Sequence, residues 1–294
     1  MVEGVATVAA ALEAHDYLAD EGLATAVFLA LELGRPLFLE GEAGVGKTEV
    51  AKVLARWRGS ELVRLQCYEG IDAGQALYEW DYSRQLLHLR VAEAGGGTIA
   101  EDELYSERFL VRRPLLQALE PGDPAPVLLI DEIDRADDEF EAFLLELLAD
   151  YSVTIPELGV VRAAVPPVVI LTSNRTRDVH DALKRRCLYH WIDHPDFERE
   201  VAIVERKAAG APPALVRQVA AATAVLRGLD LYKPPGVAET IDWAAALTRL
   251  GVARLDEQSV RTTLGVVLKY REDQARVESA GIPAVVAAAE ARSA

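Results

Sequence analysis

The chain has 294 residues, 51% of them hydrophobic, with 31 Lys and Arg against 47 Asp and Glu and a formal charge of −16. That balance argues against a general nucleic-acid binder, which needs clustered cations for phosphate contacts. The length suffices for two domains. Cys67 and Cys187, the two cysteines, lie far apart without metal-ligand spacing, so they signal neither a disulfide nor zinc and fit a reducing cytoplasm. The start, Met1-Val2-Glu3-Gly4, lacks the basic n-region of a signal peptide. No apolar run approaches the ~18 residues of a membrane helix.

In chain order, Pro36-Leu37-Phe38-Leu39-Glu40 predicts a short buried strand. Gly41-Glu42-Ala43-Gly44-Val45-Gly46-Lys47-Thr48 follows, a complete G-x-x-x-x-G-K-[ST] loop. Val50, Val53, Leu54 and Trp57 then recur at i, i+3, i+4, i+7, one face of a helix. Strand, glycine loop and helix form the setting in which such a loop cradles phosphate. Backbone N–H groups from Glu42 through Thr48 turn toward one anion, and the helix adds its positive dipole end. Lys47 is expected at the β- and γ-phosphates, and the Thr48 hydroxyl on Mg²⁺.

Further strands are expected at 62–67, 127–131, 168–173 and 188–192, each short and largely apolar, as in a parallel sheet buried between helices. The segment 70–111 contains Gly95-Gly96-Gly97 and Glu101-Asp102-Glu103, and part of it reads as surface loop. Val127-Leu128-Leu129-Ile130-Asp131-Glu132 is an apolar strand ending in adjacent carboxylates. Asp131 suits Mg²⁺, and Glu132 suits a general base that orients the attacking water. A helix is expected over 139–150, with Phe140, Phe143, Leu144, Leu147 and Leu148 on one face. A small hairpin follows within about 151–165. Leu171-Thr172-Ser173-Asn174 ends the next strand, where the Asn174 amide would lie beside Glu132 if the two strands are neighbours. Leu183-Lys184-Arg185-Arg186 is basic, and an arginine there suits a finger that neutralises the transferring phosphoryl group of an adjoining subunit.

After His194-Pro195 strand patterns give way to helices at 213–227, 238–250, 259–270 and 284–291, broken by Pro234-Pro235-Gly236 and Gly251. The expected division is therefore an α/β nucleotide-binding domain over 1–195 and a helical domain over 196–294.

Gly41 to Thr48, Asp131-Glu132-Ile133-Asp134-Arg135-Ala136, Ser173-Asn174 and Leu183 to Arg186, in that order, resemble a AAA+ ATPase of the MoxR family. Leu65 to Gly70, Leu77-Tyr78-Glu79-Trp80 and Asp181 to Trp191 resemble, more narrowly, the branch with accessory ATPases of carbon monoxide dehydrogenase maturation. The resemblance implies a P-loop fold with a five-stranded parallel sheet between helices, a small helical lid, an insert within about 68–110 and a hexameric ring. It implies ATP and Mg²⁺ as cofactors and chaperone-like remodelling of a protein client, often with a von Willebrand factor A-domain partner. By the same resemblance Asn174 is the first sensor, and Arg186 is the finger with Arg185 as second choice. Many relatives carry an arginine at the start of a lid helix; here Pro234 to Trp243 has none, and Lys233 lies nearby. The other class to weigh is a nucleotide-gated assembly scaffold with little turnover. A small-molecule kinase would need a substrate-binding lid with its own base, for which the sequence offers no constellation, and a DNA-loading motor is disfavoured by the acidic balance.

Overall fold

The computed structural model describes residues 4–293. The chain divides into two compact units. One comprises the N-terminal stretch to Ala11, Asp20–Glu40 and Thr48–Trp191; the other comprises Leu12–Ala19, Gly41–Lys47 and everything from Ile192 onward. The elements begin with α1 (Val5–Ala14), α2 (Glu21–Leu33), β1 (Leu37–Gly41), α3 (Lys47–Arg58) and β2 (Leu62–Gln66). The segment between β2 and the next sheet strand, where the insert is expected, supplies α4 (Ala73–Leu77), β3 (Tyr78–Trp80), α5 (Tyr82–Ala94), α6 (Glu101–Leu104) and β4 (Leu110–Arg112). Then come α7 (Pro114–Gln117), β5 (Val127–Asp131), α8 (Asp138–Asp150), β6 (Ser152–Ile155), β7 (Gly159–Arg162), β8 (Val168–Ser173), α9 (Asp181–Arg186) and β9 (Leu188–Ile192). Helices α10 (Phe197–Lys207), α11 (Pro213–Arg227), α12 (Val237–Arg249), α13 (Glu257–Val267), α14 (Arg271–Ala280) and α15 (Ile282–Ser293) complete the chain.

The five-stranded parallel sheet has the order β2-β5-β8-β1-β9. Strands β1 and β5 are buried at every position, which explains the apolar runs Leu37 to Leu39 and Val127 to Ile130. The edge strand β2 departs from that expectation, since its residues alternate between buried and exposed. Val63 and Leu65 face the core, while Arg64 and Gln66 share the opposite face. Register sets Gln66 opposite Asp131, and β8 pairs with both β5 and β1. The strand that ends at Asn174 therefore lies between the strand of the glycine loop and the strand of the paired carboxylates. Beneath them Leu128, Ile130, Phe140, Leu144 and Leu171 form one core with Trp80 and Phe109 of the insert.

Asp137 starts α8 by accepting from the Phe140 amide at 2.9 Å, and the expected apolar face of that helix packs on the sheet. The hairpin forms as β6 and β7. In the insert the expected surface loop is partly ordered. Glu101-Asp102-Glu103 make one helical turn, where three carboxylates favour the dipole's positive end. Trp80 is buried and packs edge-to-face on Tyr105, whereas Tyr68 and Tyr82 are exposed.

The helical unit has its own core around Trp243, Leu215, Val219, Leu247, Leu264 and Val285. The helix expected over 259–270 ends earlier, at Val267. Leu268 is extended and buried, its carbonyl accepts from the Gln274 side chain, and α14 begins at Arg271.

Candidate active site

The glycine loop joins β1 to α3 with Gly44 and Gly46 at positive φ, 79° and 96°. At Gly44 a side chain has no room: a Cβ would lie 3.2 Å from the Gly236 Cα and 2.9 Å from the Glu239 carboxylate. The contact is reciprocal, because a Cβ on Gly236 would lie 2.6 Å from the Ala43 carbonyl. The Ala238 amide donates to the Gly44 carbonyl at 3.2 Å, and Glu239 holds the Gly236 amide at 2.9 Å. Within this unit the loop thus rests backbone-to-backbone on the start of α12. Lys47 is buried, and its ammonium donates to the carbonyls of Gly41 and Glu42 at 2.8 and 2.6 Å.

Thr48, the next residue, donates its hydroxyl to Asp131 Oδ1 at 3.0 Å. Thr172 on β8 donates to the same oxygen at 2.6 Å. Asp131 Oδ2 accepts from Arg64 Nη2 at 2.6 Å and Nε at 3.1 Å. Asp131 itself is only 3% exposed. A hydroxyl and a carboxylate 3.0 Å apart at a strand tip are hard oxygen donors of the kind Mg²⁺ takes when nucleotide phosphates supply its other ligands. Among the described residues no group of three or more His, Cys, Asp and Glu could hold a metal ion by itself.

Glu132 sits in the left-handed region, φ 56° and ψ 51°, uncommon for a residue with a side chain. Its amide donates to Thr172 Oγ1 at 3.0 Å, which ties this backbone to β8. Asn174 Nδ2 donates to Glu132 Oε1 at 3.2 Å. Gln66 Nε2 donates to Oε2 at 3.2 Å, and Arg135 Nε pairs with the same oxygen at 2.8 Å. The loop carrying Asn174 is fixed from below. Buried Asp134 accepts from the amides of Asn174 and Thr176, and buried Glu141 binds Arg177 and the His180 amide.

The structure thus brings Thr48, Asp131, Glu132 and Asn174 together. Arg185 and Arg186 are exposed and make no hydrogen bond or ion pair with Asp131, Glu132 or Asn174 among the described residues. Arg35 clamps the end of α9 instead, donating to the carbonyls of Arg185 (2.8 Å), Arg186 (3.2 Å) and Cys187 (3.3 Å). Arg186 donates to the Leu145 carbonyl at 2.8 Å. Both cysteines are buried and free, and burial pushes each thiol up to about 12. Neither is a nucleophile at neutral pH.

Sequence reasoning missed Arg64, Gln66, Thr172 and Arg135. Two weak signals exist: the polar pair Arg64 and Gln66 alternating with Val63 and Leu65, which marks a face but not its partners, and a threonine directly after the apolar run Val168 to Leu171. A cleft of about 1060 Å³ opens on the same unit, lined by Glu69, Asp134, Arg135, Asp137, Asp138 and Arg177 among others. So charged a lining is unlike the largely apolar pockets that take organic substrates.

The family described as AAA domain (dynein-related subfamily) matches residues 36–187. No curated protein matches the chain. A mutant form of RuvB from Thermotoga maritima is 17% identical, with a TM-score of 0.50 over 92% of this chain and 72% of its own. A second structure of RuvB from that organism, titled the Holliday junction branch migration motor, is 18% identical (TM-score 0.48; 86% and 68% covered). A proposed ATPase from Cytophaga hutchinsonii is 13% identical (TM-score 0.44; 89% and 87% covered).

Proposed function

Given that the chain belongs to the AAA domain family, dynein-related subfamily, and is an ATP hydrolase working with ATP and Mg²⁺, we propose that it is a ring-forming motor of MoxR type. Hydrolysis is coupled to chaperone-like remodelling of a protein client, in the manner of metalloenzyme maturation, with a von Willebrand factor A-domain protein as partner. The observation that carries the reading is the pairing of Glu132 with Asn174 beside the Thr48–Asp131 pair.

When bound, Mg²⁺ neutralises phosphate charge, and the remaining work falls to the protein. The amides of Glu42 to Thr48 and the Lys47 ammonium bind the phosphates, as helix N-termini and lysines do. Thr48 and Asp131 would hold the metal. Glu132 accepts the proton of the attacking water, and Asn174 fixes the direction of its carboxylate. Little covalent chemistry is required, so positioning and charge complementarity supply the rate. In this reading the nucleotide-binding domain ends near residue 195 and the rest is lid. The cytoplasm is the expected setting; no described helix is long and apolar enough to cross a membrane.

Exposure of Arg185 and Arg186, with α9 clamped by Arg35, supports a finger directed at a neighbouring subunit. Tyr82, Leu86, Leu87 and Val91 leave α5 with exposed apolar side chains, which supports a protein-binding role for the insert. Arg186→Ala is expected to retain ATP binding and lose about 10³- to 10⁵-fold in turnover. Mixing it with Lys47→Ala subunits should restore part of the rate, because each supplies what the other lacks. Full activity of Arg186→Ala in a lone monomer would contradict the ring. A wild-type rate independent of concentration, in protein that stays monomeric, would favour the nucleotide-gated scaffold.

A further inference from the structure

The structure assigns Arg64 a role that rests on the ATPase reading: it is a positioning residue that sets how much Mg²⁺ the enzyme requires, by sharing Asp131 with the metal. Asp131 has two oxygens and both are engaged. Oδ1 accepts from Thr48 and Thr172, and Oδ2 takes Arg64 through two nitrogens at 2.6 and 3.1 Å. Hydroxyls rotate and re-partner freely, but a guanidinium that donates twice to one carboxylate oxygen is a permanent positive charge held at short range. Asp131 is 4% exposed at its side chain, whereas Arg64 is 50% exposed; the carboxylate is fixed in the protein and the arginine reaches it from the rim.

Position on the sheet turns Arg64 away from the core, with half of its side chain exposed. It alternates with core-facing Val63 and Leu65 on an edge strand, and its Nη2 also holds Gln66 Oε1, whose amide in turn donates to Glu132. The charge on Arg64 has two consequences. It keeps a buried carboxylate compensated when no other cation is near. It also repels a divalent ion approaching the same carboxylate, so that Asp131 offers Mg²⁺ only part of its charge. Metal affinity is thereby held down, and Mg²⁺ settles firmly only with the phosphates of the nucleotide as further ligands.

The test follows binding. A fluorescent ATP analogue at fixed concentration is titrated with buffered Mg²⁺ against wild type, Arg64→Gln and Arg64→Lys. Removing the charge should lower the half-saturating Mg²⁺ by about tenfold or more, and keeping it as lysine should leave the midpoint within about twofold of wild type. Melting in Mg²⁺ without nucleotide gives a second readout: Arg64→Gln should be stabilised by the metal and wild type should not. If Arg64→Gln does not fold, Arg64→His serves, charged near pH 6 and neutral near pH 8. Its Mg²⁺ midpoint should then drop between those pH values by more than that of wild type. An arginine that only held the fold would leave every midpoint unmoved, and an unchanged or raised requirement in the neutral variant overturns the inference. Wild-type binding is scored in the same titration. Absence of ATP binding would defeat the ATPase reading itself, whereas binding with unshifted midpoints would defeat only the role of Arg64.

Discussion

Buried carboxylates occur in both units, and the way each is held separates bracing from chemistry. In the helical unit Glu200, 1% exposed, has its oxygens filled by Arg227 at 2.6 and 2.8 Å and by Thr240 at 2.7 Å. Arg227 continues to the Pro235 carbonyl at 2.7 Å, so this cluster braces the turn that carries Gly236. Asp273 likewise caps the amides of Tyr232 and Lys233. In the α/β unit Asp131 is nearly as deeply buried, but two of its four side-chain hydrogen bonds come from rotatable hydroxyls, against one of three at Glu200. Its neighbour Glu132 keeps 31% of its side chain exposed, on a left-handed backbone. An acid filled mainly by a largely buried guanidinium fixes a fold. An acid with exchangeable partners at a strand tip, next to a residue on left-handed backbone, is available to a ligand. Burial alone tells neither from the other.

That contrast is sharpest in stability. Arg227→Ala strips a deeply buried glutamate of its cation and should cost about 3–5 kcal/mol in denaturant unfolding, as breaking one side of a buried pair does. Turnover per folded molecule should fall far less than for any change at Glu132. A loss under about 1 kcal/mol would mean that Glu200 finds water instead, and the bracing role would fail.

A smaller effect concerns pH. His194 is held below its ordinary value, first by burial and then by Arg227, against the opposing pull of Glu200, Glu42 and Asp193. Its Nδ1 is buried without a hydrogen-bond partner. The unfolded chain therefore binds a proton that the folded chain resists, so stability is complete above the unfolded value of about 6.5 and declines as pH falls through it. Wild type should lose melting temperature between pH 7.5 and 5.5, and His194→Asn should lose less. Equal losses in the two proteins would remove His194 from the account.

Legibility in the sequence follows the same divide. The glycine loop, the Asp131-Glu132 strand and the Asn174 strand each carry a local signature, and the central strands β1, β5 and β8 are readable because buried parallel strands are largely apolar runs. The helices α10 and α14 were not read. Glu198, Arg199, Glu200 and Arg206 dilute the pattern of one, and Arg271 to Ala280 has a single valine to mark its buried face. Arg64 and Gln66 escaped for a different reason. Their partners are 67 and 66 residues away and are met only through the register of β2 on β5. The backbone contact of Gly44 with Gly236 is equally invisible in sequence, since a glycine reports the absence of a side chain and not what replaces it.

The most direct test of the central claim, that Glu132 does chemistry while the saturated acids only brace, is single-turnover ATP hydrolysis by Glu132→Gln with binding of the same nucleotide measured alongside. The amide keeps the shape and the contact with Asn174 but cannot accept a proton. The account predicts ATP binding close to wild type and hydrolysis slower by about 10²- to 10⁴-fold. Hydrolysis at the wild-type rate would contradict it and move the base elsewhere.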